Sequence, residues 1–225
     1  MGAVIYRDYD DDDAAAVKQI IGQAFTIGSF LTSERMLDSA LEVYLRECLA
    51  GSSWTQVAEL EGRVVGIIMG NIPGQPRVPG VARNRWLLLV NSLLTTARAR
   101  GHFQELAQTQ LIAATEMQLV KRQGRVKQEL TLFAVAESAR GLGIGKALYQ
   151  AFLDYLASYG RGEFYVLTDS KCDVGFYRHL GLSEAEHERL GITYAGEPEE
   201  LDLYLFTGIV PSEESAPPEQ LTQIL

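Results

Sequence analysis

Cysteine and histidine are scarce in this chain. Two cysteines, Cys48 and Cys172, stand far apart in 225 residues and form no CxxC pair. That excludes a disulfide framework and leaves them as reduced thiols. Three histidines, His102, His179 and His187, show no ligand spacing, so no metal site is expected. No apolar run reaches transmembrane length, and the oiliest stretch, Trp86 to Leu94, is interrupted by Asn91 and Ser92. The N-terminus has neither the basic region nor the apolar core of a signal sequence. Basic charge is short as well: 20 Lys and Arg against 29 Asp and Glu give a net charge of -9. This excludes nucleic acid as the main partner, because phosphate contacts need basic patches. A cytoplasmic location and no membrane partner are therefore expected. The acidic balance is compatible with a cationic amine as partner. What remains is a chain with 47% apolar residues, long enough for one substantial core.

The chain is organised around residues 129–159. From Glu129 to Ala136 the residues are mostly apolar or β-branched, as in an interior strand covered on both faces. Arg140-Gly141-Leu142-Gly143-Ile144-Gly145-Lys146 follows, with glycines at alternate positions that permit tight turns and close approach by a ligand. Ala147, Leu148, Phe152, Leu153, Leu156 and Tyr159 then recur at helical spacing. A helix opening here points free N–H groups and its positive end at the loop, which makes an anion site suited to a phosphate or pyrophosphate. A P-loop is excluded: Ala147 follows Lys146, so no hydroxyl is available for magnesium, and the glycine spacing differs. The dinucleotide pattern GxGxxG is also missed, since the glycines read GxGxG; Glu163 alone is weak support for a ribose carboxylate.

Arg140, Gly143 and Gly145 resemble the acyl-CoA motif of the GNAT superfamily of N-acetyltransferases: Gln or Arg, two residues, Gly, one residue, Gly or Ala. A second match follows about thirty residues on. Phe176-Tyr177, then Leu180-Gly181-Leu182 after two residues, resembles the family's later short helix and its end. The resemblance covers roughly residues 3–207. It implies the acyl-CoA N-acyltransferase fold, an α/β (α+β) arrangement with a mixed, mostly antiparallel central sheet flanked by helices. The implied order is β-α-α-β-β-α-β-α-β-α-β, with an enlarged helical segment before the fourth strand. The implied activity is transfer of an acetyl group from acetyl-CoA, as donor substrate, to a primary amine by direct attack within a ternary complex. The acceptor would be a small molecule or a peptide, and a homodimer is left open. The alternative is a non-catalytic acyl-CoA-binding regulatory or interaction protein.

The resemblance also implies a site. Backbone groups of Phe133, Ala134 and Val135 would hold the pantetheine arm, with the Val135 N–H on the thioester oxygen. Arg140, Gly141, Leu142, Gly143, Ile144, Gly145 and Lys146 would cradle the diphosphate. Tyr177 would be the general acid for the leaving thiolate, with Phe176 beside it; a phenol's ordinary pKa near 10 suits that task. Glu129 would be the base that frees the amine, with Asp169 and His179 as substitutes. Ser170 stands where relatives often carry an Asn on the pantetheine arm, and Glu137-Ser138 replace a common proline. Cys172 is a conceivable nucleophile, but nothing in the sequence positions a base beside it.

Along the rest of the chain, Val4 to Arg7 is expected as a first strand and Asp8 to Asp13 as an acidic, capping bend. Helices are expected over Ala14 to Phe25 and from Ser33 through Leu49. By the resemblance, these two helices flank the acceptor cleft, and residues 25–31 line it. Trp54 to Leu60 and Val64 to Ile72 read as a hairpin across Glu61-Gly62-Arg63. Residues 81–128 are the enlarged segment, with helices at Arg85 to Ala99 and Glu105 to Arg122. The second presents Leu106, Ile112, Ala113, Met117 and Val120 as its apolar side; Trp86 on the first is expected in the core. Strands are expected at Phe164 to Leu167, Ala185 to Tyr194 and Leu201 to Phe206, the last two paired. Residues 1–209 are expected as one domain and 210–225 as a peripheral tail.

Overall fold

A computed structural model describes residues 2–25, 34–98, 103–194 and 197–210. The chain opens with strand β1 (Val4–Arg7) and an acidic turn. Asp10 caps that turn, accepting the Asp12 N–H, and the Asp13 carboxylate accepts the Asp10 N–H at 2.8 Å. Asp13 also pairs with Arg7, as does Glu59, and this fixes the bend between the strand and the first helix. Helices α1 (Ala14–Ala24) and α2 (Glu34–Gly51) follow, then strands β2 (Trp54–Leu60) and β3 (Arg63–Asn71). Their two-residue turn holds Glu61 and Gly62 at positive φ, 52° and 75°, which matches the twist of a hairpin. Helices α3 (Val81–Arg98) and α4 (Phe103–Gln123) make up most of the enlarged segment. Strand β4 (Glu129–Val135), helix α5 (Ile144–Ser158), strand β5 (Glu163–Asp169) and helix α6 (Val174–His179) come next. Strands β6 (Ser183–Tyr194) and β7 (Glu197–Ile209) complete the described chain.

The seven strands form one sheet in the order β1-β2-β3-β4-β5-β7-β6. Every pairing is antiparallel except β4 with β5. This is the acyl-CoA N-acyltransferase fold in its mixed, mostly antiparallel form.

Each face of the sheet is covered because strand side chains alternate. On one face Leu148, Phe152 and Leu156 of α5 pack on Phe164, Val166 and Phe206, with Tyr177 of α6 in the same cluster. Phe152 meets Phe164 edge to face at 5.1 Å. Gly70 and Gly208 make room for these rings; an added Cβ would stand 2.6 Å from Phe152 or 2.4 Å from Phe164. On the other face two helical covers sit side by side. Val17 and Ile21 of α1 and Leu45 and Leu49 of α2 pack on Val57, Ile67, Met69 and Leu132. Further across, Leu119 of α4 packs on Tyr165, Ile192, Leu203 and Leu205. The boundary between the two covers runs over β4 and β5.

Two expectations for the enlarged segment fail. Trp86 is not in the core; it is 64% exposed, with Leu89 and Leu93 on the same outer stripe of α3. That helix packs on α2 by its other side, where the buried Asn84 accepts from Arg46 at 3.0 Å. On α4 the inward residues are Ile112, Thr115, Leu119 and Val120, so Ile112 and Val120 lie on the packed side as expected. Ala113 and Met117 face out. The apolar letters of α4 are spread around the helix, so the sheet it covers, not its composition, selects the buried side. Of the segment at 25–31 expected beside the acceptor, only Phe25 is among the described residues, as is none of Ser33, His102 and 211–225.

Candidate active site

The site begins with a defect in the sheet. Between β3 and β4 the register slips: Met69 faces Leu132 and Gly70 faces Leu130, leaving Thr131 as the extra residue of a bulge. The bulge reverses the alternation of β4, so that Leu130 and Phe133 both face α5 while Leu132 faces α1 and α2. Beyond this point β4 and β5 diverge; they pair only at Glu129 and Tyr165, where the Tyr165 N–H donates to the Gln128 carbonyl at 2.9 Å. Ala136 donates back to Val65 on β3, so by the period of two the main-chain groups of Phe133 and Val135 point away from β3 into the gap. The gap is a V-shaped opening with backbone donors and acceptors along one wall. Thr131, which sequence reading passed over, adds a buried hydroxyl oxygen with no hydrogen-bond partner among the described residues. Nothing in the sequence marks it, since a bulge is a property of the pairing.

The glycine loop closes the mouth of this opening. A single 3₁₀ turn at Glu137–Ala139 leads from β4 to Arg140, whose N–H donates to Glu137. Gly141 and Gly143 have φ of 76° and 75°, which other residues adopt only with strain, and an added Cβ on either meets nothing within 4 Å. Gly143 is the N-cap of α5 and provides no side chain to cap it. The first intrahelical bond is donated by Ala147 to Gly143. The N–H groups of the first turn, at Ile144 and Gly145, therefore have no intrahelical partner. Ile144 is buried and anchors the turn, while Arg140, Leu142 and Lys146 are exposed around it. Gly145 sits over Phe133 and Val135: its added Cβ would lie 3.6 Å and 3.7 Å from their side chains. The loop and the open edge of β4 are thus adjacent, as a diphosphate and its pantetheine arm require.

Helix α6 lies on the same side. Asp173 caps it by accepting the Phe176 N–H at 3.1 Å. Phe176 packs on Phe133 at 5.3 Å, and Tyr177 stacks on Phe206 at 6.0 Å. Tyr177 is buried, and that burial, with the nearby acidic groups, pushes its phenol up, so it keeps its proton. Cys172 lies close by, and burial beside Asp169 pushes its thiol up to about 12. A thiol so placed is not a thiolate at neutral pH and is a poor nucleophile.

The opposite side of the opening is the seam between α2 and α4. Glu129 of β4, Asp169 of β5 and Glu47 of α2 lie within electrostatic reach of Glu116 of α4. Burial raises all four carboxyl pKa values. The Tyr165 hydroxyl and the Arg77 charge, both near Glu129, restrain that rise. Glu116 is pushed up to about 7 by burial and by the charges of Asp169, Glu47 and Glu129. Sequence reading missed Glu47 and Glu116. Each is one carboxylate among many on a helix; packing turns Glu116 partly inward, while Glu47 stays exposed.

An acetyltransferase (GNAT) domain model matches residues 91–194. Over that span the chain resembles the acetyltransferase (GNAT) domain. Three solved structures illustrate the similarity of fold. Ard1 from Thermoplasma volcanium is 19% identical with a TM-score of 0.52, over 93% of this chain and 99% of that one. YncA from Salmonella typhimurium, solved with its cofactor acetyl-CoA, is 18% identical with a TM-score of 0.51, over 96% and 98%. The ribosomal-protein-S18-alanine N-acetyltransferase from Escherichia coli is 14% identical with a TM-score of 0.50, over 96% and 98%. No curated protein matches the chain by sequence.

The structure brings the expected residues together with two exceptions. The Ser170 hydroxyl oxygen accepts the Asp202 N–H at 3.1 Å, so it is engaged with β7 rather than with the opening. His179 is exposed and its Nδ1 lies 2.7 Å from the Gly175 carbonyl of its own helix, away from the seam. Among the described residues no group of His, Cys, Asp and Glu is arranged to hold a metal. No described helix is long and apolar enough to cross a membrane.

Proposed function

We propose that the protein transfers the acetyl group of acetyl-CoA to a primary amine by direct attack within a ternary complex. The observation that carries this reading is the uncapped start of α5, with its two left-handed glycines, set against the open edge of β4 and beside Tyr177. The N–H groups from Gly141 to Lys146 bind the diphosphate, aided by the positive end of the helix dipole. Main-chain groups of Phe133 and Val135 hold the pantetheine arm in the position a neighbouring strand would occupy, with Ala134 between them. The Val135 N–H polarises the thioester carbonyl. Phe176 packs along the arm.

Glu129 takes the proton that an ammonium must lose before it can attack. Its raised pKa suits that role, because a stronger base accepts the proton more readily near neutral pH. The free amine forms a bond to the carbonyl carbon and the carbon–sulfur bond breaks. Tyr177 gives its proton to the departing thiolate and regains one from the acylated nitrogen. The protonated Cys172 argues for direct transfer over an acetyl-enzyme. The neighbours include a ribosomal-protein-S18-alanine N-acetyltransferase, so peptide amines belong in any acceptor panel beside small amines. The test is amine-dependent release of free coenzyme A thiol across polyamines, amino acids, aminoglycosides and peptides. Turnover with at least one class, lost in Tyr177→Phe, is expected. Acetyl-CoA binding without turnover across the panel would overturn it in favour of a binding protein.

A further inference from the structure

Helix α3 packs on α2 by one side and turns an apolar stripe to solvent on the other. Trp86, Leu89 and Leu93 recur at i, i+3 and i+7 and are 64%, 53% and 62% exposed. A contiguous stripe of this kind marks a contact surface. Its N-terminal end is basic. Arg85 is exposed one turn before Leu89, Arg83 nearby is paired with Asp11, and the first turn of α3 holds no acidic residue. The face is therefore positive at its start and apolar beyond, in a chain whose net charge is -9.

The segment 211–225 carries the complementary pattern. Its charged side chains are Glu213, Glu214 and Glu219, and Leu221, Ile224 and Leu225 follow at i, i+3 and i+4. The place where it departs is within reach of α3. Ile209 of β7 stands opposite Glu163 at the start of β5, Tyr165 of β5 opposite Glu129, and Glu129 opposite Asn71 at the end of β3. The chain thus leaves β7 at the end of the sheet from which residues 72–80 lead to α3. From β3 across β4 and β5 to β7 is about 15 Å at ordinary strand spacing. Residues 211–225, extended, span up to about 50 Å. A second copy of the chain is a poorer occupant, since a stable dimer engages about 20–30 residues a side and this stripe offers far fewer.

We propose that residues 211–225 dock on the outer face of α3, with Leu221, Ile224 and Leu225 against Trp86, Leu89 and Leu93. The glutamates then lie beside Arg85 and the positive end of the helix dipole. The two segments run parallel, because in both the charged part precedes the apolar part. Docking covers a stripe that the rest of the fold leaves in water and ties the end of β7 to the enlarged segment. It is independent of the acetyl-transfer reading.

Trp86 reports on this contact. The other tryptophan, Trp54, stacks on Tyr155 at 5.2 Å. Acrylamide quenching of the full chain is measured with and without Trp86→Phe, and the difference isolates Trp86. The same pair of measurements is made in Leu221→Ser/Ile224→Ser and in Arg85→Glu. In the wild type Trp86 is expected to be protected at every protein concentration. Its quenching constant should rise roughly threefold in Leu221→Ser/Ile224→Ser, as the ring returns to water, and by less in Arg85→Glu. Equal quenching of Trp86 in the wild type and in Leu221→Ser/Ile224→Ser would overturn the proposal. So would protection that grows with protein concentration and survives the double substitution, which would put a second copy on the stripe. Protection that appears only when anionic vesicles are added would likewise replace residues 211–225 by a membrane surface.

Discussion

Tyr165 of β5 and Glu129 of β4 stand opposite each other at the one register position where these two strands pair. The pairing ties the candidate base to the point where the sheet splits. It also sets the balance of that base: burial raises the Glu129 pKa, and the neighbouring Tyr165 hydroxyl, which favours the charged form, restrains the rise.

Replacing Tyr165 by Phe removes that hydroxyl. The Glu129 pKa then rises further. The acidic limb of the kcat/KM profile, along which activity grows as the base loses its proton, moves to higher pH. A profile measured from about pH 5 to 9 checks this; a limb that stays in place would mean that another group is titrating.

Glu129→Gln removes the base itself. A fall of roughly 10²–10³ in kcat is expected, with the acidic limb flattened. Retention of the limb in this variant would move the role elsewhere in the seam.

Much of this site was legible in the sequence because it rests on local rules. Gly141 and Gly143 at alternate positions before Leu148 and Phe152 mark a strand-to-helix turn with open N–H groups. Glu61-Gly62 marks a hairpin, and Val17, Ile20 and Ile21 mark a helix face. What stayed hidden depends on pairing and docking. The bulge at Thr131 exists only relative to Met69 and Gly70. Trp86 is apolar yet exposed, and Leu119 is buried where Met117 is not, because the partner surface decides. Glu116 reads as an ordinary surface residue until α4 is laid on β6 and β7.

The charge on Glu116 should cost the free protein stability. Its folded pKa, about 7, lies above the unfolded carboxylate value, so stability is greatest below that value and declines as the pH rises through 7. Glu116→Gln is therefore expected to unfold about 1–3 kcal/mol later than the wild type near pH 8, and to gain little near pH 5. Denaturant titrations at the two pH values check it. A variant less stable at both would show that the carboxylate has a partner.

Gly143→Ala places a Cβ on a residue at φ 75°, in the open space proposed for the diphosphate. About 1 kcal/mol of stability should be lost to backbone strain, with a larger rise in the KM for acetyl-CoA than for the amine. Gly208→Ala, which collides with Phe164 in the core, should lose stability more severely. Melting curves with and without coenzyme A separate the two effects.

Cys172 should form no covalent intermediate. Intact-mass measurement after mixing with acetyl-CoA in the absence of amine is expected to show unmodified protein, and Cys172→Ser should still turn over. A stoichiometric acetyl adduct lost in that variant would replace direct attack by a two-step route.

The account depends most on the fit of the coenzyme at the start of α5, and a crystal structure of the acetyl-CoA complex tests that directly. It should place the diphosphate against the N–H groups of Gly141 to Lys146, the pantetheine arm along Phe133 to Val135, and the sulfur beside the Tyr177 hydroxyl. A diphosphate bound elsewhere, or a sulfur out of reach of Tyr177, would contradict it.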